Sequence, residues 1–464
     1  MKKIKFISTL LIGLSLFSCD NSLDLEPEDS LTPSVVFSNE ALSNSALNGM
    51  YSSCQSSDAL SGTLDAITEW QTDNVNFVGS FPTFQEIRDY STLSDNTSIT
   101  PLWTTHYRVI NQANMIIKFV PLSPDVNFSN AAKDDMVGQA KFIRALMHFR
   151  LSNVFGVQFA QNPSGDGLSV PLVLAPFEGT ITYPNRSTLL QVYNQIEDDL
   201  LDATILITNT TKSKATVAAA KGLLARLYLY QGRWSEAANM ANDVINTSGI
   251  SLAANYAFYN ANSTEHVFQL LNIAGDAAGA QSYSNLFNGT NFGARGDCPF
   301  SQDLRNLFAL EPGDIRISAT LTRNGTSAAG VTDLFTRKYP NGTTNVDDPN
   351  VIRVSEMFLI RAEANLRNGS TIGATPVADV NRTRNRAGLT SLVSVTLDDI
   401  LVERRKEFCF EGLRRMDLLR FNLPLRSDSL PNSAVSTPTS PKVIFPIPQR
   451  EIDINPNLIQ NSGY

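Results

Sequence analysis

Two stretches of this sequence set flat aromatic rings among hydrogen-bonding side chains. Sugars suit such a mixture, because the apolar face of a pyranose stacks on an aromatic ring while its hydroxyls seek amides, acids and guanidinium groups. The first stretch, Glu69 to Arg88, holds Trp70, Phe77, Phe81 and Phe84 beside Asp73, Asn74 and Asn76. The second, Gln281 to Arg295, holds Tyr283, Asn285, Phe287, Asn291, Phe292 and Arg295. A small core beneath a long loop is an equally good account of any one of these rings. Carried forward as ligand contacts are Trp70, Asp73, Asn74, Phe77, Phe81, Tyr283, Phe287, Phe292 and Arg295. If they serve that purpose, the aromatic rings are exposed.

Catalysis finds less support. The sequence has no HExxH, GxSxG or phosphate-binding Walker loop, and no paired cysteine or histidine spacing for a metal. Its histidines, His106, His148 and His266, are far apart, and the first two fall on apolar helical faces where a core role is expected. Two carboxylates placed for glycoside hydrolysis leave no sequence signature, so the acids alone argue nothing. The expectation is a binding protein without enzymatic activity, cofactor or metal.

The elements that would position these loops are helices. Apolar residues recur at spacings of three and four from Pro101 to Val120, from Ala131 to Phe155 and from Thr188 to Leu206. Between Val217 and Ile245, Ala225, Ala237, Ala238 and Ala241 allow close helix approach, and Gly232 separates two helices just before Trp234. That pattern matches a tetratricopeptide helix-turn-helix unit, and a related unit recurs from Val354 to Ala387. The predicted class is mostly α, with about four helix pairs over residues 101–156, 188–247 and 351–421. Two segments, about 55–100 and 249–348, do not read as helical and are too long for turns. Within the second, Val267 to Asn272 alternates like a strand. Long loops on a rigid scaffold are where binding residues concentrate.

The N-terminus bears on location. Lys2, Lys3 and Lys5 precede an apolar run from Phe6 to Phe17, too short to span a bilayer, that ends at Ser18 and Cys19. Residues 1–18 read as a signal peptide, and Leu16 to Cys19 resembles a lipobox in which Cys19 carries lipid. Residues 19–30 then form an acidic tether and 31–464 a single domain. Loss of the leader removes three lysines and takes the formal charge from -8 to -11, which excludes nucleic acid as a partner. Cys54, Cys298 and Cys409 remain, too few for a disulfide framework.

The C-terminal quarter carries a family signature. ILVERRKEFCFEGLRRMDLLRF, Ile400 to Phe421, resembles a helix of the SusD/RagB family bearing Glu403, Arg404, Arg405, Glu407, Phe408, Glu411, Gly412, Arg414, Asp417 and Leu418. The close of the chain, VIFPIPQREIDINPNLIQNSGY, is similar to the family's ending, with Ser462 where proline is usual. The charged signature reads as structural. The resemblance implies a right-handed superhelix of tetratricopeptide-like pairs with a shallow ligand face, on a surface lipoprotein of the outer membrane. It also implies a SusC-like TonB-dependent transporter as partner and an oligosaccharide as cargo. A peptide-capturing RagB-like protein and a scaffold that binds only protein are the alternatives.

Overall fold

The structure, a computed structural model, describes residues 32–273, 275 and 278–464. Cys19 and the segments assigned to signal peptide and tether lie outside the described residues.

Helices α1 (Pro33–Val36) and α2 (Glu40–Cys54) lead into two short helices, α3 (Thr63–Trp70) and α4 (Pro82–Arg88). The helices expected from periodicity follow: α5 (Thr100–Phe119), α6 (Asn130–Phe155), α7 (Leu189–Leu206), α8 (Val217–Gln231) and α9 (Trp234–Ile245). Side-chain oxygens of Ser129, Thr188 and Thr216 accept from backbone amides at the starts of α6, α7 and α8, meeting donors that a helix leaves orphaned. From α5 to α9 each helix packs on the next.

The chain then leaves for the long insertion, which contains β1 (His266–Gln269), α10 (Tyr283–Phe287), α11 (Gln302–Ala309) and the hairpin β2 (Thr322–Thr326) with β3 (Thr332–Thr336). It returns through β4 (Asn350–Arg353), which pairs antiparallel with β1. Helix α12 (Val354–Asn368) follows directly and packs on α9, where Ala237, Ala238 and Ala241 are fully buried. α13 (Pro376–Arg386), α14 (Leu397–Phe408), α15 (Arg414–Arg420) and α16 (Gln449–Ile454) complete the order. One hydrophobic cluster runs from Phe37 to Leu458.

Two expectations need correction. Residues 55–100 and 249–348 are not free of helix, since α3 and α4 lie within the first and α10 and α11 within the second. Every residue of α3 is buried, so its sequence lacks the polar face that marks a surface helix. The signature from Ile400 to Phe421 is also two helices rather than one. Phe410 and Gly412 take left-handed backbone, with φ of 66° and 74°, and a β-carbon on Gly412 would meet the Asp65 carboxylate at 2.6 Å. The Lys338 ammonium completes the break by donating to the carbonyls of Glu407 and Cys409, each at 2.9 Å.

The break exposes the logic of the charged run. Five consecutive residues of α14, Glu403 to Glu407, are buried, and each meets an opposite charge. Glu407 accepts from Arg353 at 3.0 Å, Arg386 at 2.5 Å and Tyr256 at 2.9 Å. Glu403 pairs with Arg316 at 2.7 Å, and Arg316 also holds Asp314 at 2.8 Å. Arg353 and Arg386 each reach Glu265 at 2.9 Å, just before β1. Burial alone would raise the Glu407 pKa, but Arg386, Arg353 and Arg316 outweigh it and hold the carboxyl well below the carboxylate range.

Replacing Glu407 by glutamine leaves two buried guanidinium groups facing a neutral partner. The expected loss is about 3–5 kcal/mol, read as a lower urea midpoint with unchanged slope. Glu407, Glu411 and Asp417 all titrate below their ordinary values of 4.5, 4.5 and 3.8. Folding therefore favours their charged forms, and the stability they contribute is present above those ordinary values and lost as pH falls through the lowered ones. Melting temperature measured from pH 6 down to pH 3 should fall steeply (about the carboxylate range), and less so in the Glu407→Gln variant.

Candidate functional site

The two aromatic stretches are far apart in sequence and meet in the fold. Val75 bridges Phe300 antiparallel, the Asn76 amide donates to the Pro299 carbonyl at 3.0 Å, and the Val78 amide to the Asp297 carbonyl at 2.9 Å. Where the first segment leaves this pairing stands Gly79. A β-carbon there would lie 2.7 Å from the Asp297 carboxyl carbon, so only glycine lets the two loops close.

Most of the rings form the floor of this junction rather than its face, which corrects the expectation of exposed aromatics. Trp70 is wholly buried, 4.7 Å from the Phe77 ring and 4.5 Å from the Phe84 ring, and its indole N–H donates to Cys298 Sγ at 2.9 Å. Phe77 is buried with it. Tyr283 stacks on Tyr339 at 4.5 Å and donates its hydroxyl to Asp65, while Phe287 packs edge-on against Phe410 at 5.3 Å. Both are buried, because the rings sit over the α14–α15 break and fill the space it opens.

Asp73 and Asn74 are likewise interior. Asp73 receives a two-pronged bond from Arg414, at 2.9 and 2.7 Å, and Asn74 accepts from Arg405 at 2.9 Å and donates to Glu69 at 2.9 Å. Two arginines of the family signature thus consume the polar pair expected to bind ligand. Burial pushes Glu69 up to about 7, against the amides of Asn74 and Gly412 that favour its charged form.

Phe81, Phe292 and Arg295 remain at the surface. Phe81 is 50% exposed and precedes Pro82, which favours the extended backbone it adopts at the start of α4. The Arg295 guanidinium lies 5.3 Å from the Phe81 ring centre and 5.1 Å from that of Phe84. Its Nε donates to Asp297 at 2.6 Å, leaving both terminal nitrogens unpartnered among the described residues. Phe292, partly buried, lies 3.5 Å beneath the guanidinium of Arg323. Sequence reasoning missed Arg323 because it stands on a strand between threonine and asparagine, with no aromatic neighbour in the chain.

Other chemistry is muted. His106 and His148 each bond a carbonyl four residues earlier through Nδ1, and burial depresses both to about 3. Cys54, Cys298 and Cys409 are buried and unpaired. No metal-ligating cluster occurs among the described residues. A cavity of about 60 Å³ lies beside Asp65, Arg150, Tyr283 and Glu411, with room for a few waters but not for a sugar.

Two family descriptions match the chain: "Starch-binding associating with outer membrane" over residues 21–229 and "SusD family" over residues 272–464. A SusD-like protein of Formosa agariphila is 26% identical over 530 aligned positions, covering 100% of both chains. The crystal structure of a SusD superfamily protein from Bacteroides thetaiotaomicron superposes with a TM-score of 0.80 at 26% identity, covering 90% of this chain and 98% of that one. A laminarin-binding SusD-like protein shares the fold, with a TM-score of 0.74 at 22% identity over 92% of this chain and 100% of that one.

The division between floor and face is testable by stability alone. Trp70→Ala should cost about 3–5 kcal/mol in chemical denaturation. Phe81→Ala should stay within about 0.5 kcal/mol of the parent.

Proposed function

The chain belongs to the SusD/RagB family, and on that premise we propose that it captures an oligosaccharide outside the cell and passes it to a SusC-like TonB-dependent transporter in the outer membrane. The observation that carries this reading is the half-exposed Phe81 ring beside Arg295, held on a floor of buried aromatics. A ring of that kind offers a sugar its apolar face, and the two free nitrogens of Arg295 offer donors to the hydroxyls. The laminarin-binding relative supports a glycan as the ligand class. Binding without turnover fits a loop face beneath which the nearby carboxylates, Asp73 and Asp297, are buried and each engaged by arginine.

In this reading the protein stands on the outer surface, anchored by lipid on Cys19. No helix among the described residues is long and apolar enough to cross a membrane.

The test is calorimetric titration of residues 20–464 against plant, algal and host oligosaccharides, with a peptide mixture alongside. Saturable binding to one glycan family without its hydrolysis is expected, with Phe81→Ala weakening it at least about tenfold at unchanged melting temperature. Response to peptide alone, or glycan binding indifferent to Phe81, would overturn the assignment.

A further inference from the structure

We infer that the loop face carries an anion subsite, built on Arg323 and Arg337, which takes the sulfate ester or carboxylate of an acidic oligosaccharide. The inference deepens the capture reading and rests on it.

The first observation is an unbalanced charge. Elsewhere buried guanidinium groups face carboxylates, as Arg144 does Asp199, Arg226 does Glu356 and Arg361 does Asp379, each at 2.6 Å. Arg186 and Arg415, buried without one, spend all three nitrogens on neutral oxygens. Arg323, partly exposed at the loop face, makes neither kind of arrangement. Nη2 alone makes its bonds, to Asn288 Oδ1 at 2.6 Å and the Pro340 carbonyl at 3.2 Å. Nε is buried without a partner, and Nη1 has none among the described residues.

The second observation is a like charge placed beside it. In the hairpin Arg323 stands opposite Phe335, and the Arg337 amide continues the ladder by donating to the Leu321 carbonyl at 2.7 Å. Arg323 and Arg337 are therefore diagonal neighbours on one face of the ribbon, within reach of one another for long side chains. Arg337 is exposed, and its bond runs to a main-chain carbonyl, that of Ala319. The acid on this face, Asp333, is already engaged by Arg305. Asp347, whose charge also acts on Arg323, is buried and held by Asn260 and Asn341.

The third is rigidity. The Arg323 guanidinium is pressed flat on Phe292, whose loop is tied to the hairpin by the Thr326 amide on Asn291 Oδ1 at 2.9 Å and the Ala328 amide on the Gly296 carbonyl at 2.8 Å. The same loop carries Arg295 three residues on, so the cation pair and the Phe81 platform share one support. Two adjacent guanidinium groups in a chain of net charge -8 repel each other until an anion joins them, and planar oxyanions match their donor geometry.

Matched pairs of oligosaccharides test this: a sulfated galactan oligomer with its desulfated form, and an oligouronate with its carboxyl-reduced form, titrated against residues 20–464. One acidic member should bind about ten- to a hundredfold more tightly than its neutral counterpart, and the preference should shrink as salt rises. Which pair responds distinguishes sulfate from carboxylate. Arg323→Gln and the exposed Arg337→Gln should each erase the preference while leaving neutral affinity unchanged, the second also at unchanged melting temperature, whereas Phe81→Ala should weaken both members. Equal binding of acidic and neutral forms, or a preference that survives both arginine variants, overturns the subsite and leaves glycan capture standing. If no saccharide of either kind binds, the capture reading falls and the subsite with it.

Discussion

Everything else in this fold leans on the buried ion lattice around Glu407. Charges taken out of water are tolerated only when paired in good geometry, so the buried carboxylates of α14, Glu403 and Glu407, require cations from elsewhere in the chain. Those cations come from β4, from α13 and from the turn at Arg316, while Lys338 beyond β3 pairs with Glu411 and holds the Glu407 carbonyl. The lattice thereby clamps both halves of an insertion of about a hundred residues onto the helical scaffold. Irregular backbone of that length cannot build a large core of its own, and directional ionic contacts locate it where apolar packing would leave it free to slide.

The same clamp explains why the loop face is stiff. Arg405 and Arg414 pin the backbone and side chains at Asp73 and Asn74, while Gly412 presses against Asp65. Trp70, Phe77 and Phe84 then pack on that fixed base and present Phe81 without freedom to collapse inward. A shallow platform gains little from enclosing its ligand, so the ordering of its rings in advance is the main lever on affinity.

How much of this could be read from residues alone depends on the range of the interaction. The helices from α5 to α9 announce themselves because their apolar periodicity and their capping serines and threonines are local. β1 was legible from alternation over a few residues. The α14–α15 break was hidden, since a helical periodicity of charges continues through it and only Lys338 and Asp65, distant in the chain, show why it stops. The two aromatic stretches were read as irregular, yet α3, α4 and α10 carry Trp70, Phe84, Tyr283 and Phe287, and burial separates these rings from Phe81. Trp70 meets Cys298 across 228 positions, a contact no local pattern records. Arg323 left no trace because its significance is a missing partner, and absence of a counter-charge is visible only in three dimensions.

The three described cysteines carry a consequence for the chemistry of oxidation. Burial raises the Cys54 thiol to about 12 and the Cys409 thiol to about 11, and drives Cys298 upward as well. At neutral pH the thiolate fraction of Cys409 is then only about one part in ten thousand, and thiolate is the species that oxidants and disulfides attack. Once folded, these three cysteines are shielded from thiol exchange without a bridge among them. Their redox hazard is confined to the interval before the core closes, and folding speed rather than disulfide chemistry is their protection against crosslinking.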